Sequence, residues 1–200
     1  MLLLDAWTAE PSTLPLSILE NTAMRLPSIH LARLLRNFLV SVAVLIPSMA
    51  FAEPNAIYLV RHGEKVSTGK DPDLTSQGQL RAQNIATTLH RTGIQAIFST
   101  PTTRTLQTAQ PLAKQLGLTV ERYDPATPKA LVEKVKALEG AVLVVGHSNT
   151  LPELVRLFGG EPGTDIADNE YDRLYQLIPA PGGATRTVVL TSLPPTGNAP

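Results

Sequence analysis

The 200-residue chain carries 17 basic and 17 acidic side chains, is 43% apolar and only 4% aromatic, and contains no cysteine. Balanced, sparse charge gives no field to draw it onto DNA, RNA or an anionic bilayer, and so few rings make no base-stacking platform. The missing cysteine excludes disulfide scaffolds, thiolate zinc sites, iron–sulfur clusters, cysteine nucleophiles and an acylated lipoprotein anchor.

From Met24 the chain reads MRLPSIHLARLLRNFLVSVAVLIPSMAFA. Arg25, Arg33 and Arg36 form a basic n-region, Phe38 to Ile46 an apolar run, and Ala50-Phe51-Ala52 a small-residue cleavage site after the helix breaker Pro47. The pattern predicts a signal peptide over 24–52, cut after Ala52, and a periplasmic or secreted protein with no membrane contact after cleavage. The apolar run is short for a membrane span, which makes an uncleaved anchor the weaker alternative. Residues 1–23 hold Asp5, Glu10 and Glu20 but no base, so they read as an upstream extension before a start at Met24. The mature chain, 53–200, suits one core: a domain over 53–193 and a Pro/Gly/Asn-rich tail over 194–200 that is expected to fray.

Along the mature chain, strand and helix patterns alternate. Ala56 to Val60 is apolar and β-branched, as a buried parallel strand would be. Leu74 to His90 reads as an amphipathic helix with Leu80, Ile85 and Leu89 on one side and Gly93 as its stop. Ala96 to Ser99 is a second strand, followed from about Thr102 by a helix with Leu106, Ala109, Leu112, Ala113 and Leu116 inward and Pro111 expected to kink it. Leu118 to Tyr123 is a third strand candidate, and Lys129 to Leu138 has helical spacing at Leu131, Val135 and Leu138. Ala141 to Val145 is the most strand-like run of all. Thr150 to Phe158 follows as a helix, with Thr150 and Glu153 placed for a capping box. Two strands, Tyr171 to Ile178 and Thr185 to Leu193, flank a Pro-Gly-Gly turn at 181–183. The alternation predicts a three-layer α/β/α sandwich with a mostly parallel sheet.

Chemistry-bearing residues fall at the carboxyl ends of these strands, where open α/β sheets bind ligands. Arg61-His62-Gly63-Glu64 follows the first strand, Arg104 the second and His147 the fourth. His90, beside Arg91 near a helix end, reads as a solvated side chain instead. Competing motifs drop out. His62-Gly63-Glu64 lacks the cysteines of a zinc deaminase, Ser148 has no histidine after it to complete a hydrolase triad, and neither a Walker A loop nor G-x-G-x-x-G is present.

Four segments together resemble the histidine phosphatase superfamily, in the branch that includes cofactor-dependent phosphoglycerate mutases. Arg61-His62-Gly63-Glu64 looks like its RHGE signature, and Leu74 to Ala82 is similar to LTxxGxxQA with Arg81 where glutamine is usual. Ser99 to Ala109 resembles SxxxRxxxTA, and Gly146-His147-Ser148-Asn149-Thr150 resembles the segment carrying the second histidine. The resemblance runs over about 57–193 in order. It implies a phosphoglycerate mutase-like fold and a metal-independent phosphomonoester hydrolase with no cofactor, working on a small phosphorylated substrate. A non-catalytic phosphoester-binding module is the alternative, and a phosphomutase a weaker third.

The residue types suit that chemistry. A phosphoryl group spreads its charge over three oxygens, and a planar guanidinium offers parallel N–H donors to a pair of them. Arg61 and Arg104 would clamp the phosphate, and His147, if protonated, would add a third cationic donor. His62 would be the nucleophile, one ring nitrogen attacking while the other donates a hydrogen bond that sets the tautomer. Gly63 would let the backbone approach the phosphate, with Asn149 and the amides near Thr150 completing the anion site. Glu64 would contact substrate or hold Arg61. For the leaving-group proton the resemblance implies a glutamate after the second arginine motif. Here Asp124 and Glu121 are the candidates, with Glu170 and Asp172 more distant ones.

Overall fold

The computed structural model describes residues 53–180 and 184–196; the expected signal peptide over 24–52, the expected extension over 1–23, residues 181–183 and residues 197–200 lie outside the described residues. Strand and helix alternate as β1 (Ala56–Arg61), α1 (Ser76–Leu89), β2 (Ile94–Ser99), α2 (Thr103–Leu116), β3 (Val120–Arg122), α3 (Pro128–Lys136), β4 (Ala141–Gly146) and α4 (Leu151–Leu157), closing with β5 (Arg173–Pro179) and β6 (Thr185–Thr191). They form one sheet in the order β3-β2-β4-β1-β5-β6. The β3, β2, β4 and β1 neighbours pair in parallel, whereas β5 and β6 add as an antiparallel hairpin on the β1 side.

All six residues of β1 and all six of β4 are buried, because helices cover both faces of the sheet. One core layer packs Ile57, Leu59, Val142 and Val144 against Leu131, Val135, Leu151 and Leu154 of α3 and α4. The other packs Tyr58, Val60, Leu143 and Val145 against Ile85, Leu89, Leu112 and Ala113 of α1 and α2. The three-layer arrangement thus follows from strands with no polar face. Among the described residues, no helix is long and apolar enough to cross a membrane.

Several local expectations need correction. Leu80 is half exposed, and Arg81 takes the inward position beside Ala82, Ile85 and Leu89. At about 100° per residue, Leu80 lies a quarter-turn off the stripe that Gly78, Arg81 and Ile85 define. The capping box at Thr150 does not form: its backbone is helical and its hydroxyl turns back to His147, accepting from the His147 amide at 3.3 Å. The capping hydroxyl is found instead at Thr75, whose Oγ1 accepts from Gly78 N and opens α1. α2 runs through Pro111 as one element and ends on Gly117, whose φ of 69° suits glycine at a helix stop. The start of the 194–200 tail is pinned, because Thr196 N donates to Asp172 Oδ2 and Thr196 Oγ1 accepts from Tyr171 N.

One close approach bears on the site. A Cβ on Gly63 would lie 2.7 Å from Gly78 O, and a Cβ on Gly78 would lie 2.2 Å from Glu64 O. The loop after β1 and the first turn of α1 therefore touch backbone to backbone, which only glycine at both positions permits.

Candidate active site

Parallel pairing delivers the site. Arg61 ends β1 opposite Gly146 at the end of β4, and His62 N extends the ladder by donating to Gly146 O at 3.0 Å. On the other side of β4, Thr100 N donates to Val145 O. The residues that follow three neighbouring strands, His62, Thr100 and His147, consequently meet at one edge of the sheet. The imidazoles of His62 and His147 stand edge to face with centroids 5.4 Å apart, and Arg104, from the first turn of α2, brings Nη2 to 3.5 Å from His147 Nδ1.

Hydrogen bonds assign the ring protons. His62 Nδ1 lies 2.8 Å from Gly63 O, and a carbonyl only accepts, so Nδ1 carries hydrogen and Nε2 a lone pair. For His147 the order is reversed. Arg104 can only donate to Nδ1, which leaves Nε2–H to donate to Thr100 Oγ1 at 2.9 Å. Behind it, Thr100 and Thr105 are fully buried and joined through their hydroxyls at 2.9 Å.

Both rings are neutral at neutral pH. Burial, reinforced by His147, Arg61 and Arg104 against the opposing Gly63 hydrogen bond, lowers His62 to about 3. Burial, then Arg104 and Arg61, lowers His147 to about 4. The third cationic donor expected of His147 is thus absent in the free protein; the cations here are the two arginines.

Arg61 is held by Nη1, which donates to Ala167 O at 2.8 Å and Glu170 O at 2.7 Å, and its guanidinium carbon lies 4.1 Å from the centre of the Tyr171 ring. Burial lowers its pKa, an effect that Tyr171, Asp168 and Glu170 oppose and Arg104 reinforces. Arg104 Nη1 lies 3.4 Å from Asp71 Oδ1. Among the described residues, the buried side-chain polar atoms with no hydrogen-bond partner are Arg61 Nε and Arg104 Nε. An unpaired buried donor costs about 1–3 kcal/mol, and more on a charged group. Two of them beside two neutral imidazoles make a place where a tetrahedral oxyanion is favoured.

The remaining candidates fall differently. Gly63 N donates to Thr108 Oγ1 at 3.0 Å, and the space left by its missing side chain holds Gly78. Glu64 is bound to Arg81, not to Arg61: Arg81 Nε and Nη2 reach its two oxygens at 3.0 and 2.5 Å, and Gln77 Nε2 donates at 3.0 Å. Burial would raise the Glu64 carboxyl, yet the Arg81 hydrogen bonds hold it below the usual range. Asn149 is exposed and lines a surface groove with Ser148, Asp165 and Asp168. Asp124 leaves the carboxyl end of β3, but its Oδ1 accepts from Ala126 N in the turn before α3. Glu121 pairs with Lys134, Glu170 with Arg173, and Asp172 binds the Thr196 amide.

Tyr171, Asp71, Thr100 and Thr108 were not singled out from the sequence. Thr100 and Thr108 lie inside the second arginine motif, where a buried threonine has no signal of its own. Asp71 sits in the loop after β1 and accepts from Thr103 N at the opening of α2. Those hydrogen bonds, from the Thr103 hydroxyl and amide, keep its carboxyl lowered, so it anchors Arg104 as an anion.

Comparison with known proteins bears on the fold. Residues 57–125 match the family model of the histidine phosphatase superfamily (branch 1). Among solved structures, a mycobacterial glucosyl-3-phosphoglycerate phosphatase superposes with a TM-score of 0.54 at 14% identity, covering 69% of this chain and 98% of that one. A SixA protein from Agrobacterium tumefaciens gives 0.54 at 21% identity over 69% and 99%, and the protein histidine phosphatase SixA with tungstate 0.53 at 19% over 68% and 96%. At these identities the likeness is one of fold. No curated protein sequence matches. The match to the histidine phosphatase superfamily (branch 1) thus spans β1 to β3, and the second histidine of the resembled motifs stands against the first at the end of β4.

Proposed function

We propose that the protein is a phosphomonoester hydrolase working through a phosphohistidine at His62, with a small phosphorylated substrate. The observation that carries this is the pair of unpartnered Nε–H groups on Arg61 and Arg104, flanking an imidazole whose Nε2 lone pair is free. A phosphoryl group set between the guanidiniums would have its charge neutralised by them, and a shift of the two side chains toward it would let both buried Nε–H groups donate to its oxygens. His62 Nε2 attacks phosphorus, the P–O bond breaks with its electron pair on the leaving oxygen, which takes a proton from the general acid, and Gly63 O accepts from Nδ1–H as the ring becomes cationic. Water then attacks phosphorus and gives a proton to the base so formed, the P–N bond breaks with its electron pair returning to Nε2, and phosphate leaves. Two guanidiniums supply the charge, so this scheme requires no metal or organic cofactor.

His147 acquires a second role in this scheme. A bound dianion favours its protonated form, making it a donor only when substrate is present. The leaving-group proton is the open step, with Asp124 and Glu121 still the candidates from sequence. Because both carboxylates are engaged in a turn and an ion pair, a second reading stays in play: a phosphoester-binding module without turnover. The solved neighbours are named for different phosphorylated compounds, glucosyl-3-phosphoglycerate and protein phosphohistidine, so a shared fold leaves the substrate open. Export, suggested by residues 24–52, is part of the proposal.

Three outcomes are expected. The protein hydrolyses p-nitrophenyl phosphate in the presence of chelator, and quenching in alkaline detergent traps base-stable, acid-labile phosphate that His62→Ala removes. Activity that survives His62→Ala contradicts the mechanism, and binding of phosphoesters without turnover favours the module. In an NMR titration of the free protein, the His62 and His147 rings stay neutral as pH falls from 7 to 5, since their lowered pKa values of about 3 and 4 place protonation below that window. Either ring titrating near the ordinary 6.5 would contradict the burial argument. Protein recovered after export begins at Glu53; recovery with residues 24–52 still attached would refute cleavage at Ala52.

A further inference from the structure

Arg81 stands where the resembled motif has glutamine, and its side chain is fully buried, the largest such side chain in the described fold. All three guanidinium nitrogens are bound. Nε and Nη2 grip the Glu64 carboxylate, while Nη1 donates to Ser192 O at 2.8 Å and to Ser192 Oγ at 3.1 Å. Ser192 follows β6, and its own amide donates to Asp172 O. A buried cation joined to one acid and one carbonyl is a costly way to fill a helix face that alanine or leucine would fill, so the arrangement asks for a purpose.

That purpose lies two residues from the nucleophile. Glu64 shares a peptide group with Gly63, and the carbonyl of that peptide fixes the proton on His62 Nδ1. The same stretch is held by Gly63 N on Thr108, by Thr75 N on Glu64 O at 2.8 Å and by the contact with Gly78. We propose that Arg81 is a positioning residue for the nucleophile: by gripping Glu64 it orients the Gly63–Glu64 peptide so that His62 keeps its proton on Nδ1 and its lone pair on Nε2. Through Ser192 the same guanidinium ties the nucleophile loop to the far end of the chain. The inference rests on His62 being the nucleophile, yet the ring tautomer can be read whether or not the protein turns over.

The test uses Arg81→Gln, Glu64→Gln and the double variant, each first shown to be folded by its near-UV circular dichroism. Side-chain 15N shifts of His62 are read alongside kcat and KM. The expected result is a fall in kcat of about tenfold for either single variant with KM within about twofold, and no further fall in the double variant. With it, the His62 signature moves from pure Nδ1–H toward a mixture of tautomers. Arg81→Lys, which loses the two-pronged grip, recovers only part of kcat. If Arg81→Gln does not fold, Glu64→Gln carries the test alone. Folded variants with an unchanged His62 signature overturn the proposal, whatever happens to kcat. A wild-type protein with the predicted tautomer but no turnover would instead overturn the phosphatase reading and leave the positioning role standing.

Discussion

Arg61 and Arg104 repel one another, and each helps to keep the neighbouring imidazoles uncharged. Bringing two guanidiniums to one edge of a sheet is unfavourable unless something negative offsets it. The protein offsets it only in part, with two carbonyls and a tyrosine face for Arg61 and one carboxylate for Arg104, leaving a buried Nε–H on each. The surrounding structure is arranged to keep that imbalance in place. The strands set the spacing of His62, Thr100 and His147, and the α2 amide held by Asp71 sets Arg104. Backbone contact between Gly63 and Gly78 keeps the loop from relaxing.

Burial above all keeps the two imidazoles neutral, and the same imbalance reinforces it. Near two cations in a buried site, a charged ring is doubly disfavoured, by desolvation and by repulsion. The two rings nevertheless carry their protons on opposite nitrogens, because one faces a carbonyl and the other an arginine. That difference gives them distinct capacities within 5.4 Å of each other. His62 keeps its lone pair on Nε2, while His147 turns its Nε2 proton to Thr100 Oγ1 and its Nδ1 lone pair to Arg104.

Much of this was legible in the chain. The strand–helix order, the strand-end placement of Arg61, His62, Arg104 and His147, and the two-sided burial of β1 and β4 follow from short-range patterns that periodicity reports well. What could not be read depends on partners far apart in sequence. Arg81 stood out only as a departure from the motif's glutamine, with no sign of its burial against Glu64 and Ser192, and Tyr171 gave no sign of lying over Arg61. Thr150 had the letters of a capping box, but the turn after β4 directed its hydroxyl to His147 instead. Leu80 shows the limit of periodicity itself, since a one-residue phase error turns an inward side chain outward. The proton donor stays outside both readings, because the acids nearest in sequence to the expected motif are held in a turn and an ion pair.

In the proposed mechanism both arginines and the His62 ring address one and the same anion. A crystal structure of the protein with vanadate tests that most directly. The account predicts vanadium bonded to His62 Nε2, with vanadate oxygens accepting from Nε of both Arg61 and Arg104. Vanadate bound elsewhere, or at His62 with either Nε still unpartnered, would contradict it.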